Sequence, residues 1–133
     1  MKILFNISNH PSNKWDEKQL QAAKNMADVI KDCPFPNVPP TATSEEVREN
    51  ALEIANCILS QKNLLQNVDE ITVHIMGEMT LTFATVAALQ NLELGIRCVA
   101  SCTERNVIEL PDGTKQSKFE FVQFRTYPAI ALL

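Results

Sequence analysis

The chain has 133 residues, 45% of them hydrophobic and 21% charged, which is one domain's length with apolar material for a single core. The charges are few and interspersed, which excludes a disordered tail protein. Lys and Arg number 12 against 16 Asp and Glu, a net charge of −4, and this disfavours coating of duplex nucleic acid, which normally takes a basic surface.

Residues 2–7, KILFNI, read as a buried strand, and SNHPSNKW follows as a loop. The apolar start is too short for a secretory signal, so a cytoplasmic protein is expected. Residues 16–27 read as a helix, with Asp16 and Glu17 in its first turn and Leu20, Ala23 and Ala27 on one face. Residues 28–31, DVIK, suit a short second strand. The stiff connector CPFPNVPPTAT comes next, where proline removes backbone donors and disfavours helix in the residue before it. Ser44 reads as the cap of a second helix that runs to about Gln61, with Val47, Ala51, Ile54, Ala55 and Ile58 as its apolar stripe.

Residues 71–77, ITVHIMG, read as the central strand, buried on both faces. A third helix is expected through LTFATVAALQNL, with Gly95 as a stop beyond it. The stretch from Ile71 to Leu92 is long enough to span a membrane. It holds His74, Gly77, Glu78, Gln90 and Asn91, however, and changes from strand to helix pattern midway, so no membrane span is expected. Residues 96–101, IRCVAS, give a fourth strand. Residues 106–127 then form a hairpin around Pro-Asp-Gly, leaving 128–133 as an apolar tail.

Alternating strands and helices imply a parallel sheet with helices on both faces. The expected fold is a single α/β domain over residues 1–133: a Rossmann-like three-layer sheet of order 2-1-3-4, extended by the C-terminal antiparallel hairpin. The four cysteines, Cys33, Cys57, Cys98 and Cys102, form no C-x-x-C pair and are expected as free thiols. Cys57 and Cys98 read as buried small apolar side chains, and Cys102 stays open.

In such a sheet, ligands bind at the carboxyl ends of strands one and three. The loops expected there carry Ser8, Asn9 and His10; Gly77, Glu78, Met79, Thr80 and Thr82; and Ser101, Cys102, Thr103, Glu104 and Arg105. The opposite edge receives the ordinary connectors QNVDE and NLELG. Gly77 permits positive φ or close approach of a ligand, and the helix start after it offers free N–H groups to a phosphate. A plain turn with a Thr cap accounts for the same residues.

His10 is read as a general acid or base, or as a surface loop residue. His74 is read as a hydrogen-bonded core or interface histidine. Glu78 suits a base, a ribose acceptor or a partner for Arg105, and equally a favourable charge at a helix start. Arg105 is the candidate phosphate clamp, or else a surface ion-pair partner. Lys14 and Trp15 are placed to fold over the pocket as a cation and a stacking plane, although Trp15 also suits a hydrophobic staple. With three glycines, no G-x-G-x-x-G and no Walker-type lysine, a dinucleotide oxidoreductase and an NTPase are disfavoured. No Ser-His-Asp set and no H-E-x-x-H stands out, and no metal site or cofactor is expected.

The segments LFNISNHP, PFPNVPPTAT, VHIMGEMTLTFA and CVASCTERNVIELPDGTKQSKFEFVQFRTY resemble a family of short CRISPR-associated bacterial proteins. The opening strand and its Asn/His loop are similar to small Rossmann-like ring nucleases of type III CRISPR systems, which are related to the CRISPR-associated sensor domain. The resemblance implies a cytoplasmic homodimer that binds cyclic oligoadenylate, or another small nucleotide, and degrades it. By position the resemblance covers Ser8, Asn9 and His10 and the loop from Gly77 to Thr82; with Thr103 and Arg105 added from the reading of the loops above, His10, Glu78 and Arg105 would be catalytic, and Ser8, Asn9, Gly77, Met79, Thr80, Thr82 and Thr103 would bind ligand. The chain departs from some of those proteins in lacking a lysine after strand three. The competing expectation is a non-enzymatic interaction or nucleotide-sensing module that assembles through the hairpin edge.

Overall fold

The computed structural model describes residues 1–65, 67–92 and 95–130. Gln66, Glu93 and Leu94 of the expected connectors, and Ala131 to Leu133 of the expected tail, lie outside the described residues. The elements run β1 (Lys2–Ser8), α1 (Glu17–Met26), β2 (Val29–Pro34), α2 (Ser44–Leu64), β3 (Glu70–Met76), α3 (Met79–Gln90), β4 (Arg97–Glu109) and β5 (Lys115–Thr126). They build a three-layer α/β fold on one sheet of order β2-β1-β3-β4-β5. Its first four strands are parallel, and β5 is antiparallel to β4. Among the described residues, no helix is long and apolar enough to cross a membrane.

Side-chain alternation along β1 divides the molecule. Ile3, Phe5 and Ile7 join Ile71, Val73 and Ile75 of β3 in the main core, closed by Ala55 and Ile58 of α2 and by Val86 and Leu89 of α3. The other face of β1 carries Leu4, Asn6 and Ser8. Leu4 packs with Ala23 and Ala27, bordered by Trp15 and Phe124. The β1–β3 register pairs Leu4 with Thr72 and Asn6 with His74, so one face bears a buried polar stripe.

Boundaries shift where hydrogen bonding overrides local pattern. Thr43, not Ser44, caps α2, in extended conformation and accepting from Glu46 N at 3.2 Å. Strand β2 extends through Cys33 to Pro34, which an edge strand tolerates because one side needs no donors. Helix α3 begins at Met79 and ends in an Asn91 cap, so Gly95, at φ 66°, lies beyond its stop. Cys98 is buried, but Cys57 is exposed, off the α2 stripe of Val47, Ala51, Ala55 and Ile58.

The largest departure is β4. A strand over 96–101, a loop and a separate hairpin arm were expected, but β4 runs unbroken from Arg97 to Glu109 with a register shift at Cys102/Thr103. It pairs with β3 only over Arg97 to Val99, then follows β5 along the whole hairpin. The hairpin closes as its composition predicts. Gly113 takes φ 84°, and Asp112 accepts from both the N–H and the hydroxyl of Thr114.

Candidate functional site

Past His74 and Val99, β3 and β4 no longer pair, and the backbone groups freed there find other partners. The Ile75 carbonyl accepts from the Tyr127 hydroxyl at 2.8 Å, and Ser101 N donates to Met76 Sδ at 3.1 Å. Beside this splay, at the carboxyl ends of β1 and β3, lies a cleft of about 540 Å³. The end of β1 contributes Ser8, and the loop after it Asn9, His10, Lys14 and Trp15. Helix α1 adds Gln19, β3 adds His74 and Met76, and β4 adds Ser101 and Thr103, with Gly77 at the rim. The cleft falls where the winding direction reverses, which is the expected place in an open α/β sheet.

Its floor is a continuous hydrogen-bonded chain. Asn6 Nδ2 donates to Asp32 Oδ1 at 2.8 Å and to the His10 carbonyl at 2.9 Å. Both partners only accept, so the amide orientation is fixed and Asn6 Oδ1 faces His74 Nδ1 at 2.8 Å. Nδ1 therefore carries the proton, and in the neutral ring Nε2 is the acceptor. The Ser101 hydroxyl, 2.6 Å away, must donate to Nε2. Gln19 Nε2 in turn donates to Ser101 Oγ at 3.2 Å.

Burial, with the charge of His10 adding to it, lowers the His74 pKa from 6.5 to about 4, so the ring is neutral at physiological pH. At Asp32, burial alone would raise the carboxyl. The hydrogen bonds from Ser12 and Asn6 outweigh it and hold the carboxyl below its ordinary range. Trp15 packs against the chain. Its ring meets His74 edge-on at 5.5 Å, and its Nε1 donates to the His10 carbonyl at 3.2 Å. Phe124 packs edge-on against His74 at 5.4 Å and touches Trp15, with ring centroids 6.0 Å apart.

The expected phosphate seat at the start of α3 is already filled. The Glu78 carboxylate accepts from Thr80 N, Leu81 N and the Thr80 hydroxyl, and these bonds keep it below the ordinary carboxylate range. A bound anion would meet a fixed negative charge instead of free N–H groups. Glu78→Ala is expected to lower the thermal midpoint by uncapping α3, whereas Glu78→Asp, which keeps a capping carboxylate, should retain more of it. Differential scanning fluorimetry checks this.

Gly77 is required for close approach, but to the protein's own Phe35: a Cβ there would overlap the ring, and Gly77 is not among the residues of positive φ. Gly77→Ala should cost about 1–3 kcal/mol of stability by overpacking. That cost should shrink in a Phe35→Ala background, as a double-mutant cycle in urea would show.

Of the candidates from sequence, the cleft brings together Ser8, Asn9, His10, Gly77 and Thr103, with Lys14 and Trp15 beside them. Met79 and Thr82 line a neighbouring groove of about 320 Å³ with Phe83. Glu78 and Thr80 are turned into the α3 cap. Arg105 is not brought to the cleft. With β4 continuing past residue 101, it sits on the hairpin, where Nε and Nη2 both donate to Ser117 Oγ. Sequence reasoning missed the Asn6–His74–Ser101 chain; its one available signal was a polar residue inside each of two otherwise apolar strands. Among the described residues, no group of three or more His, Cys, Asp or Glu is placed to hold a metal ion.

No curated protein and no solved structure matches the chain. A family profile matches residues 2–125, from the start of β1 almost to the end of β5, and the chain therefore belongs to the family described as "Uncharacterized protein MJ1673 family".

Proposed function

We propose that the protein is a CRISPR-associated, cytoplasmic nucleotide-binding protein that takes cyclic oligoadenylate into this cleft. It opens the ring by attack of a ribose 2′ hydroxyl on the adjacent phosphodiester. The observation that carries the reading is the cleft's chemistry at the sheet's reversal point. Trp15 offers an aromatic face for a base, Lys14 a cation for a phosphate, and Ser8, Asn9, His74 and Ser101 a polar floor for a ribose. The loop resemblance supports the choice of nucleotide. Positioning of the hydroxyl supplies most of the rate, and the attacking group comes with the ligand.

A cleft of about 540 Å³ suits one nucleotide unit. A ring of several needs a second copy, and Met79 and Phe83, 82% and 76% exposed beside the cleft, supply apolar surface for it. Phe83→Asp is expected to convert a dimer to a monomer in sedimentation velocity. Within this reading, His10 stands at the cleft as an acid or phosphate donor, while Glu78 and Arg105 serve the α3 cap and the hairpin.

Titration calorimetry with cyclic tetra-adenylate, followed by chromatography of the mixture, tests the proposal. Binding that quenches Trp15 fluorescence, with conversion to linear product, is expected. Trp15→Ala and Lys14→Ala should each weaken affinity by about tenfold, in line with one stacked base or one phosphate contact. Neither binding nor cleavage would overturn the reading. Binding without cleavage would leave a sensing module. A non-enzymatic interaction module is the second reading, favoured by exposed Val107, Ile108, Phe119 and Val122 on the hairpin.

A further inference from the structure

Ser101 is tied to a buried histidine, yet it also lines the cleft. A hydroxyl has one proton to donate and two lone pairs to accept with. Here the proton goes to His74 Nε2 and one lone pair receives Gln19 Nε2. The second lone pair has no protein partner among the described residues, and it belongs to an atom on the cleft wall. A ligand hydroxyl is the complementary donor.

Behind Ser101 the chain is buried and directional. His74 is 3% exposed, Asn6 1%, and each bond from Asp32 to Ser101 is 2.6–2.8 Å long. Asp32 accepts from Asn6, Asn6 accepts from His74, and His74 accepts from Ser101. The histidine thus has its basic nitrogen aimed at a hydroxyl and its other nitrogen held by a fixed acceptor. That is the arrangement by which a histidine activates a hydroxyl.

We infer that Ser101 is a catalytic residue for ring opening, the cleft-facing end of a proton relay backed by His74 and Asn6; the inference rests on the nucleotide reading above. The ribose 2′ hydroxyl gives its proton to Ser101 Oγ as Ser101 passes its own to His74 Nε2. The 2′ oxygen bonds to the adjacent phosphorus, the bond from phosphorus to the 5′ oxygen breaks, and the leaving oxygen takes a proton from water at the open mouth. His74 then returns its proton through Ser101 to solvent. The products are a 2′,3′-cyclic phosphate and a 5′ hydroxyl, and no oxidant or metal-bound water enters the balance. His74 and Asn6 act as positioning residues: Asn6 Oδ1 steadies the transient imidazolium, and the Asp32 carboxylate polarises the Asn6 amide.

Two measurements test this on the full chain. Nitrogen-15 NMR of the histidine rings in ligand-free protein should show His74 neutral at pH 7, with the proton on Nδ1. Single-turnover cleavage of cyclic tetra-adenylate at saturating protein, at a temperature where circular dichroism shows the variant folded, should slow at least tenfold in Ser101→Ala, whatever affinity or thermal midpoint is lost with the Ser101–His74 hydrogen bond. A proton on Nε2, or a charged ring at pH 7, overturns the relay. Cleavage by Ser101→Ala at the wild-type rate overturns the assignment alone. Wild-type protein that neither binds nor cleaves the ring overturns the nucleotide reading, and this assignment with it.

Discussion

Replacing Asn6 with alanine should destabilise the protein by about 2–4 kcal/mol, although only one small side chain is lost. Asn6 is the crossing point of the buried polar stripe. Its amide donates to Asp32 and the His10 carbonyl, and its oxygen accepts from Ser8 and His74. Truncation leaves the His74 Nδ1 proton facing a void in a site that is almost wholly buried. It also releases the loop after β1, because the His10 carbonyl is anchored from Asn6 and Trp15. Neighbouring apolar residues cannot compensate, since removing one partner of a buried pair costs the full desolvation of the other.

Urea unfolding of wild type and Asn6→Ala, at matched slope, measures the loss. A difference under 1 kcal/mol would show that the stripe is hydrated and loosely held. Asn6→Asp separates charge from shape. It keeps the volume but sets a carboxylate against both Asp32 and His74 Nδ1. The imidazole should then hold a proton near neutral pH, where the wild-type ring is neutral.

The same stripe explains what sequence could and could not reveal. Layer order was legible because strands and helices alternate with distinct periods, and right-handed crossovers leave few ways to arrange them. The cleft's position followed, since the reversal of winding is a property of strand order. Asn6 and His74 were visible as polar residues in buried strands, but 68 positions separate them. Their meeting depends on the β1–β3 register, which no local pattern states. Ser101 falls at the junction of the expected strand 96–101 and the loop expected after it, and no turn residue there marks where the strand ends. It stays in strand because β5 supplies a full antiparallel ladder, and the irregularity at Cys102/Thr103 is absorbed without a break. That continuation is also what carries Arg105 away from the site. Glu78 shows the converse: its placement at a helix start was legible, but choosing between self-capping and ligand contact required the side-chain geometry.

Acid should destabilise this protein through His74, over a window in which carboxylates contribute little. Its folded pKa is depressed from 6.5 to about 4, first by burial and then by His10. Between those values the unfolded chain binds a proton that the folded chain refuses, so stability is full above about pH 6.5 and falls as pH drops toward 4. Between pH 7 and pH 4.5 the loss should amount to about 2 kcal/mol. The groups around the ring are consistent with this sign. Trp15, Phe124, Ser101 and Asn6 are neutral, His10 adds repulsion, and Asp32 reaches the ring only through the Asn6 amide. Asp32 is itself depressed, so its contribution is present above its ordinary value of 3.8 and is lost only below it, outside the window. Urea midpoints at half-unit pH steps would trace the curve, and His74→Gln, which keeps hydrogen bonding without titrating, should flatten it. An unchanged slope in that variant would assign the acid sensitivity to other groups. A flat wild-type curve would mean that His74 titrates normally, with water reaching the floor of the cleft.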